Sequence, residues 1–158
     1  MTRIELAYGR GFLTLDFDQG RFSVLNARND PAPPLSDFEV GAAFDRVDEI
    51  AGADDSVLIV VSDATRATAS AQVVNLLVRR LVQTGVSPAR MAVIFATGIH
   101  RPVSEKERVE LLTPFITQRL RILQHDPHDR SKLTTVGKTE RGATVEVNSA
   151  LKEFSRVF

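Results

Sequence analysis

Two short segments of this 158-residue chain carry side chains suited to acid–base and anion chemistry. They are Ser62-Asp63-Ala64-Thr65-Arg66 and Ala96-Thr97-Gly98-Ile99-His100-Arg101-Pro102. Arg66 offers a planar fork of donors that can hold a carboxylate through two hydrogen bonds, and Arg101 adds a second group of the same kind. His100 can exchange a proton near neutral pH. Asp63 can orient either the arginine or the histidine, and Thr65 and Thr97 can donate hydroxyls. Gly98 lets backbone approach a ligand closely. Together these are tools for binding a small carboxylic acid and moving a proton on it.

Plainer readings stand beside these. An Asp that follows a buried strand often caps the next helix. Arg66 can be the partner of a surface acid, and a loop His can be purely structural. His125-Asp126-Pro127-His128-Asp129 contains metal-type ligands, but its spacing matches no closed zinc pattern and Pro127 marks a turn. That stretch is expected to be a solvated polar loop. No G-x-G-x-x-G, P-loop or G-x-S-x-G motif occurs, so neither a nucleotide phosphate cradle nor a nucleophile elbow is expected.

The elements that must position these loops are legible in the surrounding pattern. Val57-Leu58-Ile59-Val60-Val61 and Met91-Ala92-Val93-Ile94-Phe95 are unbroken apolar runs, as in strands buried on both faces of a parallel sheet. A helix with Val73, Leu77 and Leu81 on one face separates them and ends near Thr84-Gly85. Ser104 and Glu107 form a capping box for another helix, which runs toward Leu112 and stops before Pro114. The unit 57–112 is thus β-α-β-α, and both candidate loops leave carboxyl ends of its strands, where open α/β sheets bind ligands. Ser36 and Glu39 form an earlier capping box. The helix expected there carries Val40, Phe44, Val47 and Ile50 and ends before Gly52.

Residues 1–25 are expected to form a β-hairpin region turning at Tyr8-Gly9-Arg10-Gly11, with a further short apolar piece from Phe22 to Leu25. Residues 26–34 form a Pro-rich connector, and 35–158 an α/β core, all within one domain. Short strands are expected at Arg121–Leu123, Leu133–Val136 and Ala143–Val147, with a turn at 139–142. The fold class is therefore α/β: a doubly wound, mostly parallel sheet with helices on both faces, plus an N-terminal β-hairpin. Near the C-terminus, Leu151, Phe154, Val157 and Phe158 fall at near-helical spacing. Such a stripe must pack on the domain's own sheet, on a further domain, or on a second copy.

Composition narrows the partners. Twenty basic and twenty acidic side chains give a net charge of zero, which argues against nucleic acid or an anionic membrane surface. No apolar run approaches the ~20 residues of a membrane span, and the N-terminus lacks a secretory apolar core, so a cytoplasmic location is expected. The absence of Cys removes disulfides, thiolate metal sites and cysteine nucleophiles.

The two loops resemble the paired signatures S-D-x-T-R and A-T-G-x-H-R-P of the lactate racemase family. The resemblance continues through His125-Asp126, Val136-Gly137-Lys138-Thr139 and Val145-Glu146-Val147-Asn148. It covers most of this chain but only about the first third of a full family member. The resemblance implies racemisation or epimerisation of a 2-hydroxy acid by hydride transfer to a nickel-pincer nucleotide. On that basis His100 is one of two opposed acid/base histidines, Arg66 helps hold the substrate carboxylate, and Asp63 supports the site beside the cofactor. The family often follows the arginine with prolines, where this chain has Ala67-Thr68-Ala69. The family's cofactor-bearing lysine, second acid/base histidine and nickel-ligating histidine lie beyond the stretch matched by Asn148. Neither Lys152 nor any His here corresponds to them. The implied chain carries half a site, with no covalently bound cofactor and no turnover alone. Two other roles are compatible with the same residues: a non-catalytic module for a small carboxylate or phosphate, and an assembly partner for a separate chain with the other half.

Overall fold

A computed structural model of the chain describes residues 2–18, 20–23, 25 and 32–158. The chain divides into two compact units, residues 1–34 and 35–158. In the first, β1 (Thr2–Tyr8) and β2 (Gly11–Phe17) form the expected antiparallel hairpin, with Tyr8 opposite Gly11. Val24 of the short apolar piece, and residues 26–31 of the connector, lie outside the described residues.

The second unit is built on a four-stranded parallel sheet. Its strands are β3 (Val57–Ser62), β4 (Met91–Ala96), β5 (Arg121–Leu123) and, near the C-terminus, β8 (Arg156–Val157), in the order β5-β4-β3-β8. The chain steps one way from β3 to β4 to β5, through α2 (Ser70–Gln83) and α3 (Glu105–Thr117), and β8 then adds on the other side of β3. This reversal beside β3 is the doubly wound arrangement. An antiparallel pair, β6 (Leu133–Lys138) and β7 (Thr144–Asn148), and the short α4 (Ala150–Glu153) lie between β5 and β8 in sequence.

The two sides of the sheet make separate cores. Val57, Ile59, Val61, Val93 and Phe95 pack with Val74, Leu77, Val78 and Leu81 of α2 and with Leu112 and Ile116 of α3. Leu58, Ala92 and Ile94 face the other way, against Ala150 of α4 and Phe154. Each fully buried aliphatic side chain contributes about 1.5–3 kcal/mol. Helix α2 ends in a Schellman motif: Val86 N–H donates to Leu81 O and Gly85 N–H to Val82 O, both at 3.0 Å. Gly85 holds the left-handed φ of +96° which that motif needs, and a Cβ there would press on Ala53.

Three elements differ from the sequence expectation. The first helix, α1 (Asp37–Ala42), has its full Ser36–Glu39 capping box but is short. From Ala43 to Asp45 the amides donate to carbonyls three residues back, the tight 3₁₀ pattern, and only a 3₁₀ turn at Val47–Glu49 follows. Ile50 is accordingly exposed. Helix α3 breaks where expected, at Thr113 before Pro114 (φ +66°, ψ 154°), yet a further turn resumes to Thr117. The C-terminal stripe is not helical beyond α4. Phe154 is extended, β8 pairs with β3, and Phe158 N–H donates to Leu58 O while Val60 N–H donates to Phe158 O. Phe154 and Phe158 thus pack on the domain's own sheet.

Candidate active site

Strands β3 and β4 are in parallel register with Ser62 opposite Ala96, so the two candidate loops leave the sheet side by side. The first residues of each loop are buried. Asp63 is 6% exposed and Thr97 2%. Beyond Thr97 the chain turns tightly: Gly98 takes a left-handed φ of +54° and His100 N–H donates back to Thr97 O at 2.9 Å. That turn swings His100 toward β3.

The result is a contact between residues 37 positions apart. His100 Nδ1 lies 2.6 Å from Asp63 Oδ2, with the imidazole about half exposed and the carboxylate buried. The other carboxylate oxygen, Oδ1, accepts from Thr65 N–H at 3.0 Å and from the Thr65 hydroxyl at 2.5 Å. Asp63 cannot rotate without losing these bonds. The Thr65 hydroxyl, then His100, and then the Thr65 amide hold its carboxyl down to a pKa of about 2. An ionised acceptor at Oδ2 keeps a proton on His100 Nδ1 and leaves the Nε2 lone pair on the exposed side of the ring. This is the geometry of an oriented general base. Helix α2, by contrast, begins behind Ala69 with no side-chain cap, so Asp63 does not serve as its N-cap.

The other candidates are placed as follows. Arg66 continues the Asp63 turn, its N–H donating to Asp63 O. Its side chain is exposed and makes no hydrogen bond or ion pair with any described residue. Thr65 spends its hydroxyl on Asp63. Thr97 Oγ1 is buried without a hydrogen-bond partner among the described residues. Arg101 grips Glu107 through both terminal guanidinium nitrogens, at 2.6 and 2.8 Å.

Glu107 is the group that sequence reasoning undervalued. The capping box identified it as a helix cap, and it does accept from Ser104 N–H at 2.8 Å. It also anchors Arg101, and these partners, Arg101 first, push its carboxyl well below the ordinary range. One carboxylate thereby ties the His100-Arg101 loop to the start of α3. With Asp63, Thr65 and His100 it borders a small cavity of about 40 Å³ behind the imidazole.

The donor set fits a substrate-binding and proton-moving wall. It does not fit a metal: no group of three or more His, Cys, Asp or Glu side chains placed to hold an ion occurs among the described residues. Nor is any helix among them long and apolar enough to cross a membrane.

Comparison with known proteins now bears on this wall. The lactate racemase N-terminal domain matches residues 8–158. The chain belongs to that family. A lactate racemase of Lactiplantibacillus plantarum is 31% identical, over 97% of this chain and 38% of its own length. The lactate racemase apoprotein of Thermoanaerobacterium thermosaccharolyticum superposes with a TM-score of 0.74 at 18% identity, over 99% of this chain and 38% of that one. A Thermotoga maritima protein gives a TM-score of 0.66 at 22% identity, over 79% of this chain and 33% of its own. Both likenesses agree with the α/β sheet described above. The chain thus spans well under half the length of the curated lactate racemase it matches.

Proposed function

We propose that this chain supplies the substrate-facing half of a lactate racemase-like site acting on a small 2-hydroxy acid. The observation that carries the reading is the 2.6 Å pairing of His100 Nδ1 with the buried, ionised Asp63. The remaining groups of the site, including those that hold a nickel-pincer nucleotide, come from polypeptide outside these 158 residues. Support for that division is that the chain matches only 38% of the length of the curated relative.

In this reading the substrate carboxylate pairs with the Arg66 guanidinium, whose five donors can engage both oxygens at once. His100 Nε2 accepts the proton of the 2-hydroxyl. Asp63 stabilises the imidazolium that forms, because its own carboxyl stays ionised at any working pH. The nickel-pincer cofactor, when bound, supplies a hydride acceptor for C2 of the substrate. Returning the proton from His100 Nε2 to the oxygen resets the base. Thr97 and Gly98 shape the turn that carries His100.

The test is titration of the chain with sodium lactate, comparing Arg66→Ala and His100→Gln. Saturable binding that Arg66→Ala abolishes is expected; equal binding by the native chain and Arg66→Ala removes Arg66 from the site. Added nickel-pincer nucleotide is expected to give no racemisation by the chain alone, and clear turnover would overturn the half-site assignment.

A further inference from the structure

All three histidines of the chain border one cavity. His100 and Arg101 meet His125, Asp126 and His128, from the loop after β5, around an open volume of about 330 Å³. That volume lies at the lower end of small-molecule pockets and exceeds what a three-carbon acid fills. The cavity adjoins the imidazole proposed above as the base, so a substrate held there would extend its remaining carbons into it.

The polar groups around the cavity have definite hydrogen-bonding roles. The Asn148 amide donates to His125 Nδ1 at 3.2 Å, which places the ring proton of His125 on Nε2 and makes that atom a donor. Asp126 Oδ1 accepts from His128 N–H at 2.9 Å, and its second oxygen remains an acceptor. The His128 ring makes no hydrogen bond with a described residue. The Arg101 charge is compensated by Glu107. The cavity therefore offers both donors and an acceptor, with no uncompensated arginine to anchor a second anion.

Three kinds of substituent can be weighed against that lining. A methyl group, as in lactate, would displace water from His125 Nε2–H and from Asp126 without replacing its hydrogen bonds. A second carboxylate would meet the Asp126 carboxylate as a like charge. A hydroxyl donates and accepts at once and carries no charge. We infer that the cavity selects a 2-hydroxy acid whose chain beyond C2 carries further hydroxyl groups, with His125 and His128 as specificity-determining residues. This rests on the reading of Arg66 and His100 given above and names the substrate class for that site.

The experiment follows the ring signals of the three histidines by NMR. The ¹⁵N-labelled chain is titrated with lactate, glycerate, 2,3,4-trihydroxybutanoate and malate. Affinity is expected to rise from lactate to the trihydroxy acid by about tenfold. His125 and His128 signals should move only with the acids that carry hydroxyls beyond C2, glycerate and 2,3,4-trihydroxybutanoate. His125→Gln, checked for folding by its backbone amide spectrum, should remove most of that gain and leave lactate binding unchanged; His128→Gln is the second variant if His125→Gln fails to fold. Equal affinities with static His125 and His128 signals would overturn the inference, as would malate binding tightest. If Arg66→Ala weakens none of the acids, the carboxylate anchor is what fails, whatever the order of affinities. Binding by none of the acids overturns both readings.

Discussion

Replacing Asp63 with Asn should invert the tautomer of His100 while leaving the fold in place. In the native protein Oδ1 of Asp63 takes two hydrogen bonds from Thr65, at 3.0 and 2.5 Å, and Oδ2 faces His100 Nδ1 at 2.6 Å. An Asn side chain has one oxygen. The Thr65 amide and hydroxyl both donate at the Oδ1 position, which draws that oxygen there. The NH₂ group must then face His100. A donor facing Nδ1 makes Nδ1 the acceptor and moves the ring proton to Nε2, the exposed nitrogen, which loses the lone pair that a base needs.

The size of the effect follows from the contacts. A hydrogen bond to an ionised partner is worth enough to bias two tautomers by about tenfold or more, and the amide reverses the bias instead of removing it. The ratio of Nδ1–H to Nε2–H should therefore change by on the order of a hundredfold across the substitution. In triads of the Ser-His-Asp type the corresponding change lowers turnover by about 10⁴-fold for the same reason. The assay is a long-range ¹H–¹⁵N spectrum of the imidazole rings, which distinguishes the two tautomers directly. With three histidines in the chain, assignment needs only single His→Gln variants. A His100 ring that keeps its proton on Nδ1 in Asp63→Asn would refute the reasoning.

Acid should act through the same carboxylate. Its pKa lies near 2 in the fold against an ordinary 3.8, so its contribution to stability is complete above about 3.8 and is lost as pH falls toward 2. The urea midpoint of the native protein should drop through that window more than that of Asp63→Asn. Glu107→Ala removes the acceptor for Arg101 and for Ser104 N–H together. Broadened or displaced His100 ring signals are expected, with the methyl signals of buried Val93 unchanged. Leu81→Ala, at a fully buried position of α2, should cost about 2–5 kcal/mol in urea unfolding and leave the tautomer of His100 as it was.

What was legible in the sequence was what short-range physics decides. Both capping boxes formed as their spacing requires, because Ser and Glu three residues apart satisfy each other's backbone donors locally. The aliphatic runs at 57–61 and 91–95 became the central strands, since neither run offers a polar face to water. The overrun of α1 has a different origin. Val40, Phe44 and Val47 do share an inward side, but a 3₁₀ arrangement presents nearly the same side, and periodicity does not reveal which carbonyl an amide will choose. The C-terminal stripe was ambiguous in principle. Spacing of apolar residues alone does not separate a helix from a strand here, and in the structure Phe154 and Phe158 pack on opposite sides of the sheet. Pairing with β3, about a hundred residues away, decided it.

The pairing of Asp63 with His100 lies between these cases, and it shows where the precision of the site comes from. Each residue stands in an irregular loop, and loops alone would not hold a 2.6 Å contact. The contact is fixed by the sheet beneath. Parallel register sets Ser62 against Ala96, and burial of Val61 and Phe95 on the α2–α3 side locks that register, since a slip of one residue would turn every core side chain to the opposite face. From the common edge only one tight turn, closed by His100 N–H on Thr97 O, separates the histidine from its acid. Glu107 then ties the far side of the same loop to α3 through Arg101. His100 is thus held at one end by the sheet and at the other by a helix start, and both supports are written in the sequence as hydrophobic runs and a capping box. It follows that the side chains proposed for chemistry can be few and exposed, as Arg66 and His100 are, because the elements that aim them are buried.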